Sequence, residues 1–256
     1  INLPSLEQMD GLIFAFITRR NTIMPFAQRL SPEQAVMAYL WGESTHSFAT
    51  VPAKAGESVR IVGTDDFIIG SEARKVNRFY NIIMSLVQKY PGKVQFYQYN
   101  TGGVGEILNE YMEGSIKKKQ LVRKVTRVPI DLMAAIQRGD LRGSNKYQTG
   151  ILGTEEVVGC EGWNLDQYNA FNLYSRDQID KYLSDIVDGR RLFTERIANQ
   201  GLKPEIVKFA EESFQIAKSS EPKKVFMPDK SKVEETEVSV PKSWVSKVRP
   251  PRPVGY

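Results

Sequence analysis

The chain has 256 residues, of which 41% are apolar and 25% charged, with one cysteine, one histidine and a net charge of +5. This apolar content supports a packed core and excludes a disordered protein. A single Cys160 and a single His46 exclude an intrachain disulfide and a Cys/His metal cluster. No apolar run is long enough to span a membrane, so we expect a cytoplasmic protein with no membrane partner.

Most of the positive charge lies near the carboxyl end. Residues 218–256 contain nine Lys or Arg and five Asp or Glu, so the rest of the chain is nearly neutral. We predict an α/β domain over residues 1–218 and a basic, proline-rich tail over 219–256, acting as a linker, a wrapping arm or a disordered segment. A basic tail can bind polyanions, but charge runs carry little specificity, and we favour a solvated segment over a nucleic-acid partner.

The first predicted elements are a strand and a helix. Residues 11–18, GLIFAFIT, form a continuous apolar run that predicts a strand buried on both faces. Ser31 as the N-cap and Pro32 at the first helical position predict a helix that runs to about Leu40 and is stopped by Gly42.

A loop, a helix and a second strand follow. Residues 42–63 mix Ser, Thr, Gly and Pro and predict a long loop, in which His46 is either a proton-transfer group or an incidental residue. Residues 72–90 carry an apolar stripe at helical spacing and end at Pro91-Gly92. Residues 94–99 then predict a strand.

The remaining elements are helices. We predict one from Ile130 to near Gly139, preceded by a basic stretch and followed by irregular chain. Ser175 caps a long amphipathic helix that we expect to be interrupted at Gly189, and another helix covers residues 204–217. Strands, glycine turns and helices together predict an α/β fold, a mixed sheet with flanking helices.

Two groups of residues follow the predicted strands, where α/β sheets bind ligands. Asn100, Thr101 and Gly102 follow the second strand and form either a binding turn or an ordinary strand-end turn. Arg19 and Arg20 follow the first, as either a guanidinium pair that clamps a carboxylate or phosphate or a surface salt bridge. Cys160 has no second histidine to activate it, which favours a packing role over a nucleophilic one.

Three motifs in the same order resemble the ATP-dependent phosphoenolpyruvate carboxykinases. The first is the strand ending in Thr18, followed by Pro25 and the helix start 30–35, LSPEQA; the second is the Asn-Thr-Gly turn 100–102; the third is the pair 126–127, Thr-Arg, before a short helix. The resemblance covers residues 11–140. It implies a fold like the C-terminal nucleotide-binding domain of that family.

The resemblance also implies a nucleotide pocket. Gln120, Leu121 and Thr126 would contact the base and ribose, since an amide and a hydroxyl satisfy polar edges and a leucine covers a ring face. By the same resemblance the 100–102 turn would border the nucleotide. The alternative for Thr126 is an N-cap of the helix that follows Pro129.

The chain departs from the family at several points. Arg19-Arg20-Asn21 stand where carboxykinases have an Asp-Ala-Phe-Gly type sequence, Gln120 stands in place of an arginine, and the connection from Asn100 to Thr126 is longer. We therefore expect a divergent carboxykinase-like protein rather than an authentic carboxykinase.

The family's Gly-x-x-x-x-Gly-Lys-Thr phosphate loop does not occur in this sequence. By the resemblance, that loop and the ligands for Mg²⁺ or Mn²⁺ would lie in an N-terminal half of the same protein, and the chain begins at Ile1 as a fragment would. We expect the complete protein to use ATP and a divalent metal, and this chain alone to be inactive and to hold neither. The alternative is a non-catalytic protein that senses a nucleotide or organises an assembly.

Overall fold

A computed structural model describes residues 4–46 and 57–219. Within these ranges the strands are β1 Leu12–Thr18, β2 Ala27–Leu30, β3 Glu43–Thr45, β4 Ser58–Arg60, β5 Val94–Asn100, β6 Ile107–Glu113, β7 Ile116–Arg123, β8 Lys146–Thr149 and β9 Glu155–Gly159. The helices of the same ranges are α1 Pro32–Trp41, α2 Glu72–Lys89, α3 Ile130–Arg142, α4 Ala170–Leu173, α5 Arg176–Ala198 and α6 Pro204–Ser219.

The main sheet has five strands in the order β1-β5-β2-β9-β8. β1 and β5 are parallel, whereas β2, β9 and β8 join by antiparallel pairing. Two smaller antiparallel sheets pair β3 with β4 and β6 with β7. The predicted α/β fold, with a mixed sheet and flanking helices, is confirmed.

Helices cover both faces of the main sheet. Phe14, Phe16 and Phe96 pack on one face against residues of α1, α2, α5 and α6. Tyr97 and Tyr99 pack on the other face against residues of α3. Phe96 and Tyr97 are consecutive and point to opposite faces, as side chains of a strand do. The carboxyl end of β5 is therefore fixed between two helical layers.

α1 begins and ends where its sequence signals place it. Ser31 accepts a hydrogen bond from the backbone N–H of Gln34, and the Gln34 side chain accepts one from the backbone N–H of Ser31. This capping box satisfies two N–H groups at the start of the helix. Gly42 ends it with a φ of 40°, and a Cβ there would lie 1.6 Å from the carbonyl oxygen of Ile61. Only glycine allows that backbone approach.

α5 is one continuous helix, so the predicted interruption at Gly189 is wrong. The predicted start is confirmed, because Ser175 forms a capping box with Gln178. At Gly189 the missing side chain leaves room for Arg60, whose Nη1 would lie 2.3 Å from a Cβ. Arg60 also donates to the Ile186 carbonyl at 3.4 Å. The glycine marks a close contact between α5 and β4 rather than a break.

Several segments predicted as loops contain strands. The predicted loop 42–63 includes β3 and β4, the basic stretch before α3 is β7 of the β6–β7 hairpin, and the irregular chain before Ser175 includes β8 and β9. These strands are short or polar, so they lack the apolar pattern by which strands are recognised. α3 also continues past Gly139, which packs against Asn145, and ends at Gly143 with a φ of 66°.

β1 lies at an edge of the main sheet in the described part of the chain. Ile17 is 64% exposed, although Phe14 and Phe16 pack against the core. The prediction of a strand buried on both faces is therefore wrong for the end of β1. An apolar run predicts a strand but does not distinguish a central position from an edge.

The predicted tail lies outside the described residues except for residue 219. The boundary between domain and tail accordingly stays a prediction. Among residues 4–46 and 57–219, no helix has both the length and the apolarity that crossing a membrane requires.

Candidate functional site

A cleft opens where the two parallel strands end. Thr18 at the end of β1 pairs with Asn100 at the end of β5, and α/β sheets bind ligands beyond such ends. The empty space of the cleft, including its open mouth, is about 840 Å³. The turn after β1 contributes Arg20, Asn21 and Thr22, and the other lining residues are Thr45, Glu57, Ser58, Glu106, Leu108, Lys181, Tyr182 and Asp185.

The side chain of Asn100 fixes the turns at the base of this cleft. Its Oδ1 accepts from the backbone N–H groups of Arg20 at 2.9 Å and Gly102 at 3.0 Å. Its Nδ2 donates to the carbonyls of Met24 and Gly103, both at 3.1 Å. The residue is fully buried, and these four bonds fill the capacity of its amide. Asn100 therefore acts on the cleft through the backbone it holds.

Thr101 and Gly102 join the ends of β1 and β5. The backbone N–H and the hydroxyl of Thr101 donate to the Thr18 carbonyl at 2.9 and 3.2 Å. A Cβ at Gly102 would lie 2.3 Å from the Arg20 carbonyl oxygen, so only glycine fits there. These contacts give the Asn-Thr-Gly sequence a structural reason, and its contact with a nucleotide stays a prediction.

The structure separates Arg19 from Arg20. Arg19 is exposed, and its carbonyl accepts from the Thr45 hydroxyl at 2.6 Å. Arg20 is only 6% exposed, and its Nη1 donates to the hydroxyl of Ser58. Of the pair, Arg20 is the residue that lines the cleft.

Behind Arg20 lies a buried carboxylate with two further arginines. Glu43 is 4% exposed; its Oε1 accepts from Arg60 Nε at 3.0 Å, and its Oε2 accepts from Arg190 Nη2 at 2.7 Å. The guanidinium carbon of Arg190 also lies 4.3 Å from the centre of the Trp41 ring. Each oxygen of Glu43 thus has its own arginine. We call Glu43, Arg60, Arg190 and Arg20 the arginine cluster.

The arginine cluster carries an excess of positive charge. Burial acts to raise the pKa of Glu43, but Arg190, Arg20 and Arg60 outweigh burial and hold that pKa at about 2. Glu43 is therefore ionised at neutral pH, and arginines remain protonated in proteins. Burial lowers the pKa of Arg20, partly opposed by attraction to Glu43 and Asp185. One carboxylate faces three guanidinium groups, which makes the cluster a source of positive potential beside the cleft.

The wall across the cleft offers hydrogen-bonding groups. The hydroxyls of Tyr174 and Tyr182 donate to the carbonyl of Glu106 at 2.9 and 3.4 Å. Burial raises the pKa of the Glu106 carboxyl, and a hydrogen bond from Asn21 Nδ2 at 3.2 Å opposes that rise. Lys181 on α5 is exposed beside this wall. The cleft therefore combines cationic, acidic and hydroxyl groups.

Gln120 and Leu121 lie on β7, in the β6–β7 hairpin outside the main sheet. They pair with Asn109 and Leu108 of β6, and both are exposed. Leu108 lines the cleft. Leu121 is therefore paired with a residue that lines the cleft, whereas Asn109, Gln120 and Leu121 are not among the lining residues.

Thr126 lies beside the turn that follows β5. Its backbone N–H donates to the Val104 carbonyl at 2.7 Å, and its carbonyl accepts from the Val104 N–H at 3.0 Å. Pro129 occupies the N-cap position of α3, with no side-chain capping bond. The alternative that Thr126 caps this helix is therefore wrong. Its bridge to Val104 places Thr126 next to the 100–102 turn.

The described ranges contain no further reactive centre formed by Cys160, His46 and the acidic residues. Cys160 packs against the core between the main sheet and α3, and burial raises the pKa of its thiol. The backbone N–H of His46 donates to the Glu57 carbonyl at 2.9 Å. Within residues 4–46 and 57–219, no three His, Cys, Asp or Glu side chains are placed to hold a metal ion.

Sequence reasoning identified Arg20 but missed Glu43, Arg60 and Arg190. These residues lie on three different elements, and Glu43 is 147 positions from Arg190. No local motif links residues at such separations. The one available signal was the Arg19-Arg20 pair directly after a predicted strand.

Comparison with known proteins gives one line of support for the motifs. No family model matches the chain. Over 176 residues it is 26% identical to a phosphoenolpyruvate carboxykinase (ATP) from Aeropyrum pernix, covering 68% of this chain and 30% of that enzyme. The match therefore involves less than a third of the length of the enzyme. The chain has a distant similarity to a carboxykinase, consistent with the ordered motifs and with the α/β fold.

Proposed function

We propose that the chain forms one wall of an ATP site in a carboxykinase-like protein. The observation that carries the proposal is the position of the three motifs. Backbone hydrogen bonds join the end of the strand at Thr18 to the 100–102 turn and join Val104, two residues after that turn, to Thr126. Residues 20–22, which follow the same strand, line the cleft. The distant similarity to a carboxykinase named for its use of ATP supports the same ligand.

In this proposal the β6–β7 hairpin and the turn after β5 hold the base side of the nucleotide. Leu121 covers a face of the base, while Gln120 and Thr126 satisfy polar edges. Asn100, whose amide is fully used within the fold, keeps the turn in place. Thr101 and Gly102 then border the nucleotide through their backbone.

The complete protein would supply the phosphate loop and the ligands for Mg²⁺ or Mn²⁺ from an N-terminal half. The described residues contain no suitable donor set, so no chemical step is assigned to a metal on this chain. Phosphoryl transfer needs the phosphates, the metal and the acceptor held together, and this chain alone is expected to be inactive. Its catalytic residues are unassigned, and its cytoplasmic location stays a prediction.

Calorimetric titration of ATP into the longer protein that contains this chain, with and without Mg²⁺, tests the proposal. Thr126→Val and Leu121→Ala should each weaken ATP binding, by about fivefold to tenfold for one lost contact. Val122→Ala is the matched control, because Val122 is exposed and next to Leu121 on the same strand. Absence of ATP binding, or equal effects of all three variants, would contradict the proposal.

A nucleotide-sensing or assembly protein without catalysis is the second candidate. The observation that favours it is Arg20, which stands buried beside the cleft where carboxykinases have an Asp-Ala-Phe-Gly type turn. An assay of phosphoryl transfer by the longer protein that contains this chain separates the two. Activity that depends on the divalent metal supports the enzyme, whereas ATP binding without turnover supports the sensor.

A further inference from the structure

The side chain of Arg20 is buried, but most of its hydrogen-bonding capacity is unused. A guanidinium group has five N–H donors. Among the described residues, the acceptor paired with these donors is the Ser58 hydroxyl, bonded to Nη1. Arg20 lines the cleft, so a ligand bound there would lie beside the donors that Ser58 does not use.

The positive charge of Arg20 has no hydrogen-bonded carboxylate partner among the described residues. Glu43 gives one oxygen to Arg60, at 3.0 Å from its Nε, and the other to Arg190, at 2.7 and 3.2 Å from its Nη2 and Nε. Arg20 attracts Glu43 and Asp185 at longer range and is repelled by Arg60 and Arg190. A buried charge without a hydrogen-bonded counter-charge is costly. An incoming anion would reduce that cost.

The neighbours of Arg20 fit an oxyanion. The Ser58 oxygen accepts from Arg20, which leaves the proton of its hydroxyl available to an acceptor. The backbone N–H of Arg20 donates to Asn100 Oδ1, which fixes the point from which the side chain extends. Guanidinium groups bind phosphate and carboxylate through paired N–H donors.

The acidic groups of the cleft limit non-specific attraction. Glu57, Glu106 and Asp185 line it together with Arg20 and Lys181. A weak, non-specific response to anions is therefore not expected from the cleft as a whole. Anion binding there would depend on the local geometry at Arg20.

We propose that Arg20, whose backbone is held by Asn100, forms an oxyanion subsite that binds a phosphate or carboxylate group of a small-molecule ligand. Ser58 contributes a second donor. The subsite lies on the Arg20 side of the cleft, whereas the proposed base contacts involve Thr126 and the hairpin. It does not require the ligand to be a nucleotide, so either proposal can fail without the other.

The test is a titration of the full chain with inorganic phosphate and, separately, acetate at constant ionic strength. The Nε–Hε resonance of Arg20 in ¹⁵N-labelled protein reports binding directly. Arg20→Gln removes the guanidinium group and its charge, and Arg20→Lys keeps a positive charge but replaces the guanidinium group with an ammonium group. Arg19→Gln is the matched control, because it removes the same charge from the exposed neighbouring residue.

We expect saturable movement of the Arg20 resonance with at least one of the two anions. Arg20→Gln should weaken binding of that anion by about tenfold or more, which is the range for the loss of a charge-assisted hydrogen bond. Arg19→Gln should weaken binding by less than about twofold. A preference for phosphate or for acetate identifies the bound group. No saturable movement with either anion, or equal losses in Arg19→Gln and Arg20→Gln, would overturn the proposal. If Arg20→Gln does not fold, the wild-type resonance and the Arg20→Lys variant test the proposal instead. Anion binding by Arg20→Lys at the strength of wild type would also contradict the proposal.

Discussion

Replacing Glu43 with Gln tests whether one carboxylate holds the arginine cluster together. The substitution keeps the size of the side chain and removes the charge that faces Arg60 and Arg190. The folded pKa of Glu43 is about 2 against an ordinary value of 4.5, which corresponds to about 3 kcal/mol of stability at neutral pH. Breaking a buried ion pair by removing one partner costs a similar amount, about 3–5 kcal/mol. We expect the free energy of unfolding to fall by about 3 kcal/mol at pH 7.

The effect of Glu43→Gln should depend on pH in a defined direction. The pKa of Glu43 is lower in the folded than in the unfolded chain, so its contribution is complete above pH 4.5 and is lost as the pH falls towards 2. The difference in the free energy of unfolding between wild type and variant should therefore shrink through that window. A difference that stays constant from neutral pH to about 2 would show that the charge of Glu43 is not its cause.

Urea unfolding, followed by circular dichroism and tryptophan fluorescence, measures these differences. Fluorescence is informative because Trp41 lies against Arg190. Glu155→Gln is the control, since the Arg29–Glu155 pair is 46% and 47% exposed, and exposed pairs contribute below about 1 kcal/mol. An equal loss in Glu43→Gln and Glu155→Gln would refute the reasoning.

Three further predictions concern single positions in the fold. Burial raises the pKa of Glu156 to about 8, and its Oε1 has no hydrogen-bond partner in the described residues. The folded chain therefore retains a proton that the unfolded chain loses above its ordinary pKa, and stability falls as the pH rises towards 8. Glu156→Gln should be about 3 kcal/mol more stable than wild type at pH 7, and this difference should disappear by about pH 4.5. Urea unfolding at several pH values measures the difference, and a difference that does not depend on pH would contradict the prediction. Asn100→Ala removes four buried hydrogen bonds and should cost about 2–5 kcal/mol, whereas Asn172→Ala, an exposed control, should cost below about 1; similar costs would count against the role of Asn100. Gly189→Ala should lower the melting temperature, although alanine ordinarily favours a helix interior by about 1 kcal/mol, because the new Cβ meets Arg60 at 2.3 Å; a raised melting temperature would show that Arg60 moves freely.

Local sequence signals predicted the elements whose ends carry capping or turn residues. Ser31 and Ser175 each form a capping box with a glutamine three positions later, and Gly42 ends α1 in the left-handed region. Such bonds join residues within one turn of chain, so their pattern is visible in the sequence. The apolar runs of β1 and β5 and the stripe of α2 were predicted for the same reason. Together they were sufficient for the α/β fold class.

The sequence predicted less where a strand is polar or a glycine has a distant partner. β7 carries three consecutive lysines, 117–119, and its pairing with β6 gives no apolar alternation. Gly189 suggested a break because glycine disfavours helices, yet its neighbour in space is Arg60 of β4. A local pattern cannot show which distant side chain fills the space that a glycine leaves.

The sequence by itself determined the fold class, the caps of the main helices and the turn residues at the ends of β1 and β5. The tertiary structure decided which of these residues share a site. It separated Arg19 from Arg20, gave Asn100 four partners within the fold, and placed Glu43 against Arg190, 147 positions away. The physical reason is that burial, charge compensation and hydrogen-bond capacity depend on which side chains are neighbours in space. Those neighbours come from different elements, and only the packing of β3, β4 and α5 around the strand ends brings them together.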